Sequence, residues 1–151
     1  MKIIEDDLSS AGVAELLGEH LAAMAKYSPA ESIHALDISA LRAPDITFFT
    51  ARDEAVLLGC GALKELDARH GEIKSMRTSK THLEKGVASA ILSHLIQESV
   101  ERRYSRLSLE TGSGPAFAPA HSLYKKFGFR YCGPFGDYHA NKFSRFMTLS
   151  L

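Results

Sequence analysis

Met76-Arg77-Thr78-Ser79-Lys80-Thr81-His82-Leu83-Glu84-Lys85-Gly86-Val87-Ala88-Ser89-Ala90-Ile91-Leu92 is the stretch on which the reading of this chain turns. It reads as the end of a strand, a short polar loop, a glycine and then an amphipathic helix. Val87, Ile91 and Leu95 fall on one helical stripe with Ala88 and Leu92 beside it. A turn of this kind aims unpaired backbone N–H groups and the positive end of a helix dipole at one spot, which suits a phosphate-bearing ligand. A glycine in a strand-to-helix turn is common, so the turn by itself names no ligand.

Working upstream, Glu72 to Arg77 is a strand, reached through the turn Asp67 to Gly71. Ala55 to Glu65 is an apolar strand joined by Asp53-Glu54 to Ile46 to Arg52, which is rich in strand formers. Pro44-Asp45 makes a turn. Pro29 through Ala40 reads as a short helix with Ile33, Leu36 and Leu41 inward. Before it, Ser9 or Ser10 caps a helix whose Val13, Leu16, Leu17, Leu21 and Met24 follow helical spacing. Lys2 to Glu5 is a first strand. Downstream, the helix after Gly86 runs to about Arg102, and Arg106 to Glu110 is a fifth strand with Leu107 and Leu109 alternating. Thr111 to Pro115 is a loop. Pro119 opens a helix to Phe127, which Gly128 ends as a left-handed cap. Phe129 to Cys132 and Phe143 to Leu149 complete the pattern. The expectation is a mixed α/β fold in one domain over residues 1–151.

Composition bounds the function. The 151 residues include 18 acidic and 18 basic side chains, with hydrophobic residues at 45%. That supports one ordinary core and gives no general attraction to nucleic acid or to an anionic membrane. Cys60 and Cys132 form neither a CxxC motif nor a disulfide framework, and read as reduced thiols of a cytoplasmic protein. The N-terminal residues lack a signal-peptide apolar region, and no apolar run reaches membrane-spanning length. No ligand spacing suggests a metal.

The second informative segment is Leu123-Tyr124-Lys125-Lys126-Phe127-Gly128-Phe129. In this order, the glycine turn and this segment resemble the acetyl-CoA-binding and tyrosine motifs of the GCN5-related N-acetyltransferases. The resemblance implies that family's fold: a central, mostly antiparallel seven-stranded sheet flanked by about four helices. It also implies acetyl-CoA as co-substrate, no metal, and a small-molecule or peptide amine as acceptor, with a homodimer as a possible assembly.

Residue by residue, the resemblance puts the pyrophosphate loop at Leu83, Glu84, Lys85, Gly86, Val87 and Ala88, with Ser89 following. Gly86 and Ala88 fit the family pattern; Leu83 stands where Arg or Gln is usual, and Glu84 puts an anion near the expected phosphates. Main-chain groups of Met76 and Thr78 would hold the pantetheine arm. Tyr124 would protonate the departing thiolate, since a phenol keeps its proton at neutral pH. Phe117 stands where many members carry Asn. A neutral amine must attack, so a side chain or an ordered water takes its proton; Glu72 is the candidate base. Glu31 and His34 lie on the acceptor side, and Lys74 could neutralise an acidic acceptor. Direct transfer of acetyl to an amine is the expected activity. The alternative is a non-catalytic acyl-CoA-binding or sensor module on the same fold. His121, three residues before Tyr124 on one helix face, and the aromatic, glycine-rich stretch 133–142 stay open at this point.

Overall fold

The computed structural model describes residues 1–33 and 37–151. Its strands are β1 (Lys2–Glu5), β2 (Ile46–Asp53), β3 (Val56–Asp67), β4 (His70–Thr78), β5 (Arg106–Gly112), β6 (Arg130–Cys132) and β7 (Ser144–Ser150). The helices are α1 (Val13–Tyr27), α2 (Ile38–Leu41), α3 (Val87–Glu101) and α4 (Ala118–Lys126). The seven strands form one sheet in the order β1-β2-β3-β4-β5-β7-β6. Every neighbouring pair is antiparallel except β4 and β5. A parallel pair needs a long crossover, and α3 supplies it. The expected mixed α/β sheet is present.

Two apolar layers cover the sheet. On one face Val87, Ile91, Leu92 and Leu95 of α3, with Tyr124 of α4, pack on Leu63, Ile73, Leu107, Leu109 and Met147. On the other, Val13, Leu16 and Leu17 of α1 and Leu41 of α2 pack on Phe48, Cys60 and Ala62. The seat of α3 depends on β3: a Cβ on Gly61 would lie 2.8 Å from Ile91 Cγ2, and one on Gly59 2.8 Å from the Arg77 carbonyl oxygen. Absent side chains let the helix, and the turn leading into it, settle close to the strands.

The feature that makes a site is a defect in β4. Pairing with β5 stops at Ile73 opposite Leu109. Ser75 sits at φ 53°, and the register with β3 shifts between Cys60 and Ala62 across from it. This is a bulge, and a bulge bends its strand. β5 meanwhile stays bonded to β7 as far as Gly112 opposite Ser144. Residues 74–78 and 110–112 therefore splay into a V.

Three expectations are corrected. The N-cap of α1 is Gly12 at φ 87°, not Ser9 or Ser10; those two hydroxyls donate to Asp7 and Asp6, so they are engaged upstream of the helix. The single helix expected over residues 29–40 is instead a 3-10 turn at Ala30–Ser32 and the one-turn α2, capped by the Asp37 carboxylate accepting from the Ala40 N–H at 2.8 Å. The inward placement of Leu36 lies outside the described residues. Thr111 and Gly112 belong to β5, because the ladder to β7 carries on through them.

Candidate active site

The outer end of the V is built from backbone. Glu84 and Gly86 adopt φ 60° and 80°, and Gly86 is the N-cap of α3 with no side-chain cap. The first bond of the helix runs from the Ala90 N–H to the Gly86 carbonyl. The N–H groups of residues 86–89 meet no acceptor among the described residues, as the first turn of a helix requires. Successive free donors at a positive helix end are an anion receptor, and the space above Gly86 is open. Of the side chains here, Val87 is in the core and Leu83 is 56% exposed.

Along the inner wall, the Ser79 N–H donates to the Leu58 carbonyl of β3 at 2.8 Å. Backbone groups of successive strand residues face opposite edges. Counting back from Ser79, the N–H groups of Thr78 and Met76 face the open edge that β5 has left. These are the two positions expected to hold an extended arm.

A cleft of about 390 Å³ fills the V, with Glu72, Met76, Thr78, Leu83, Ala88, Glu110, Tyr124 and Tyr138 among its lining. Tyr124 reaches it from α4, 8% exposed and 5.8 Å from the Phe129 ring. Burial and the Glu110 carboxylate push its phenol up to about 12, so at neutral pH it carries a proton to give. Glu72 reaches the cleft from β4 and is only 2% exposed. Its Oε2 accepts from Lys74 Nζ at 3.3 Å and from the Tyr138 hydroxyl. Lys74 Nζ also donates to the Tyr138 oxygen at 2.8 Å. Lys74 is thus committed within the protein and does not stand free for an acidic acceptor.

Behind this group lies a second cavity of about 610 Å³, sharing Glu72, Lys74 and Tyr138 with the first. Glu31 is on its rim, in the 3-10 turn, and Ser32 and Asn141 close it with a 3.5 Å contact between side chains. Asp45, Glu65 and Asp137 add carboxylates against Lys64. His34 lies outside the described residues.

The remaining expectations resolve locally. His121 faces away from the cleft: its Nε2 bonds the Gly112 carbonyl at 2.8 Å and its Nδ1 the Tyr131 hydroxyl at 3.0 Å. It ties α4 to the end of β5. Phe117 lies over Gly112, where a Cβ would collide with its ring, and stands edge-on to Tyr27 of α1 at 6.0 Å. Both aromatics line the cleft. Beside them, burial and the Arg77 guanidinium push His20 down to about 4, so it is neutral at pH 7.

Sequence reasoning did not single out Tyr138, Glu110 or His20. Tyr138 comes from the 133–142 loop, whose aromatic content was its only signal; nothing local tells which ring turns inward. Among the described residues no three His, Cys, Asp or Glu side chains are grouped to hold a metal ion. No helix there is long and apolar enough to cross a membrane.

Comparison with known proteins agrees with this geometry. The model of the acetyltransferase (GNAT) family matches residues 12–129. The chain is 57% identical over 151 residues, all of both chains, to the uncharacterized N-acetyltransferase YsnE of Bacillus subtilis. It is 48% identical over 146 residues, 97% of this chain and 92% of the other, to the uncharacterized N-acetyltransferase YedL of Escherichia coli. A GNAT family acetyltransferase of Elizabethkingia anophelis, solved with acetyl-CoA bound, shares the fold with a TM-score of 0.70, 18% identity and coverage of 99% and 97%.

Proposed function

The chain belongs to the acetyltransferase (GNAT) family, and from that premise we propose that it moves an acetyl group from acetyl-CoA directly to a primary amine of a small molecule or peptide. The observation that carries this reading is the meeting of a carboxylate, Glu72, and a protonated phenol, Tyr124, in the walls of one cleft whose outer end is a row of free amides. The residues fit the substrate: the donors of residues 86–89 suit a pyrophosphate, and the Met76 and Thr78 amides suit an extended amide-bearing arm.

The chemistry then divides among these groups. Glu72 accepts a proton from the incoming amine. Its hydrogen bonds from Lys74 and Tyr138 both fall on Oε2, which leaves Oε1 to take that proton. The neutral nitrogen attacks the thioester carbonyl carbon, the Met76 N–H stabilises the charge gathering on oxygen, and the C–S bond breaks. The leaving thiolate takes the Tyr124 proton. Positioned acid–base groups of this kind contribute roughly 10²–10⁴ in rate. The acceptor occupies the 610 Å³ cavity with Glu31 at its rim, where carboxylates outnumber cations and favour an amine carrying further positive charge.

The test is release of CoA thiol from acetyl-CoA in the presence of spermidine, tyramine or a lysine-bearing peptide. We expect amine-dependent release that falls about 100-fold or more in Glu72→Gln. Release that no amine accelerates, or full activity in Glu72→Gln, would sink the reading.

A further inference from the structure

We propose that Tyr138 is the positioning residue for Glu72: its hydroxyl, locked in place by an aromatic cluster, fixes one carboxylate oxygen so that the other is presented to the acceptor. The proposal rests on the reading of Glu72 as the base.

Four observations support it. The Tyr138 hydroxyl donates to Glu72 Oε2 and accepts from Lys74 Nζ, so the three groups form a closed triangle. Donor and acceptor roles are settled, because an ammonium cannot accept and a carboxylate cannot donate. The Tyr138 ring packs on Phe135 at 5.1 Å and Phe146 at 5.5 Å, and both phenylalanines are buried. Lys74 Nζ also lies 5.5 Å from the ring centre. Finally, Tyr138 belongs to the lining of both cavities, on the partition between them.

The loop therefore brings a rigid donor to a strand residue that could otherwise rotate. A Glu side chain has three rotatable bonds, and a base misplaced by about 1 Å loses of order a hundredfold in rate. Lys74 alone would not fix it, because a flexible ammonium orients an oxygen poorly. Tyr138 cannot itself serve as the base: burial and the Glu72 and Glu110 carboxylates hold its proton far above the ordinary phenol range.

Other charged groups surround the triangle. His70 on β4 interacts with the Glu72 charge, Glu110 on β5 acts on the Tyr138 phenol, and Lys64 and Glu65 on β3 line the second cavity. His20 on α1 and Asp137 on the loop line the adjoining cavities. A Tyr138→Phe change leaves all of these, and the ring packing, in place. It removes only the hydroxyl.

The test is a carbon-13 NMR spectrum of the glutamate side-chain carboxyls in the intact protein at pH 7, with the Glu72 signal assigned by its loss in Glu72→Gln. Removing the hydroxyl takes a hydrogen bond from one carboxylate oxygen, so the Glu72 carboxyl signal should move in Tyr138→Phe. In the spermidine assay kcat should fall about tenfold while acetyl-CoA affinity holds. An unmoved signal overturns the proposal, because packing alone would lower the melting temperature without moving that resonance. Full turnover in Glu72→Gln would instead overturn the base assignment. Loss of turnover in Glu72→Gln with an unmoved signal in Tyr138→Phe would remove Tyr138 alone.

Discussion

The two ends of the cleft are made of different material. At the outer end the donors are main-chain amides held by two positive-φ residues and the start of α3. At the inner end the chemistry sits on three side chains, Glu72, Lys74 and Tyr138, that satisfy one another. Backbone recognition tolerates side-chain change, which is why Leu83 and Glu84 can depart from the family pattern while the turn keeps its shape. The buried Glu72–Lys74 pair has no such freedom: taking one partner from a buried pair costs about 3–5 kcal/mol. Sequence variation at the two ends therefore carries different information.

That contrast can be broken by experiment. Glu72→Gln, described above, has the largest expected effect, on turnover and not on acetyl-CoA affinity. Next comes Gly86→Val at the other end. A β-branched residue at φ 80° costs about 1–2 kcal/mol, and acetyl-CoA binding by calorimetry should weaken about tenfold; unchanged affinity would mean the turn is not where the ligand sits. Tyr124→Phe should lower turnover about tenfold with the dissociation constant unmoved, and unchanged turnover would take Tyr124 out of the mechanism.

A pH effect of smaller size comes from His20. Its folded state resists protonation until about pH 4, whereas the unfolded chain takes the proton near 6.5. Between those values the unfolded state binds more protons, so stability falls as pH falls, by at most about 1.4 kcal/mol per pH unit for one group. Denaturant titrations should show that slope flatten in His20→Gln. The smallest effect belongs to Glu84→Arg, which should tighten acetyl-CoA binding a few-fold at low ionic strength and less in high salt. Equal affinity at every salt concentration would mean the side chain points to solvent.

The sequence carried the fold wherever period and punctuation agreed. The stripe of α3 and the Gly128 cap at φ 95° are where spacing placed them. It was less legible where short-range bonds compete. Asp6 and Asp7 draw Ser10 and Ser9 away from capping α1, and residues 29–40 divide at the Asp37 cap. Within the site, the glycine turn and Tyr124 are local motifs and could be read directly. The bulge at Ser75 and the inward turn of Tyr138 could not. They depend on how β3 faces β4, and on a loop 64 residues away from Lys74 in sequence.

The most direct measurement is a proton–nitrogen correlation spectrum of the labelled protein titrated with acetyl-CoA. We expect the largest shifts at the amides of Glu84 to Ser89, Met76 and Thr78, with ATP producing no comparable change at Met76 and Thr78. Saturable binding that left those amides unmoved, or no binding at millimolar ligand, would contradict the account.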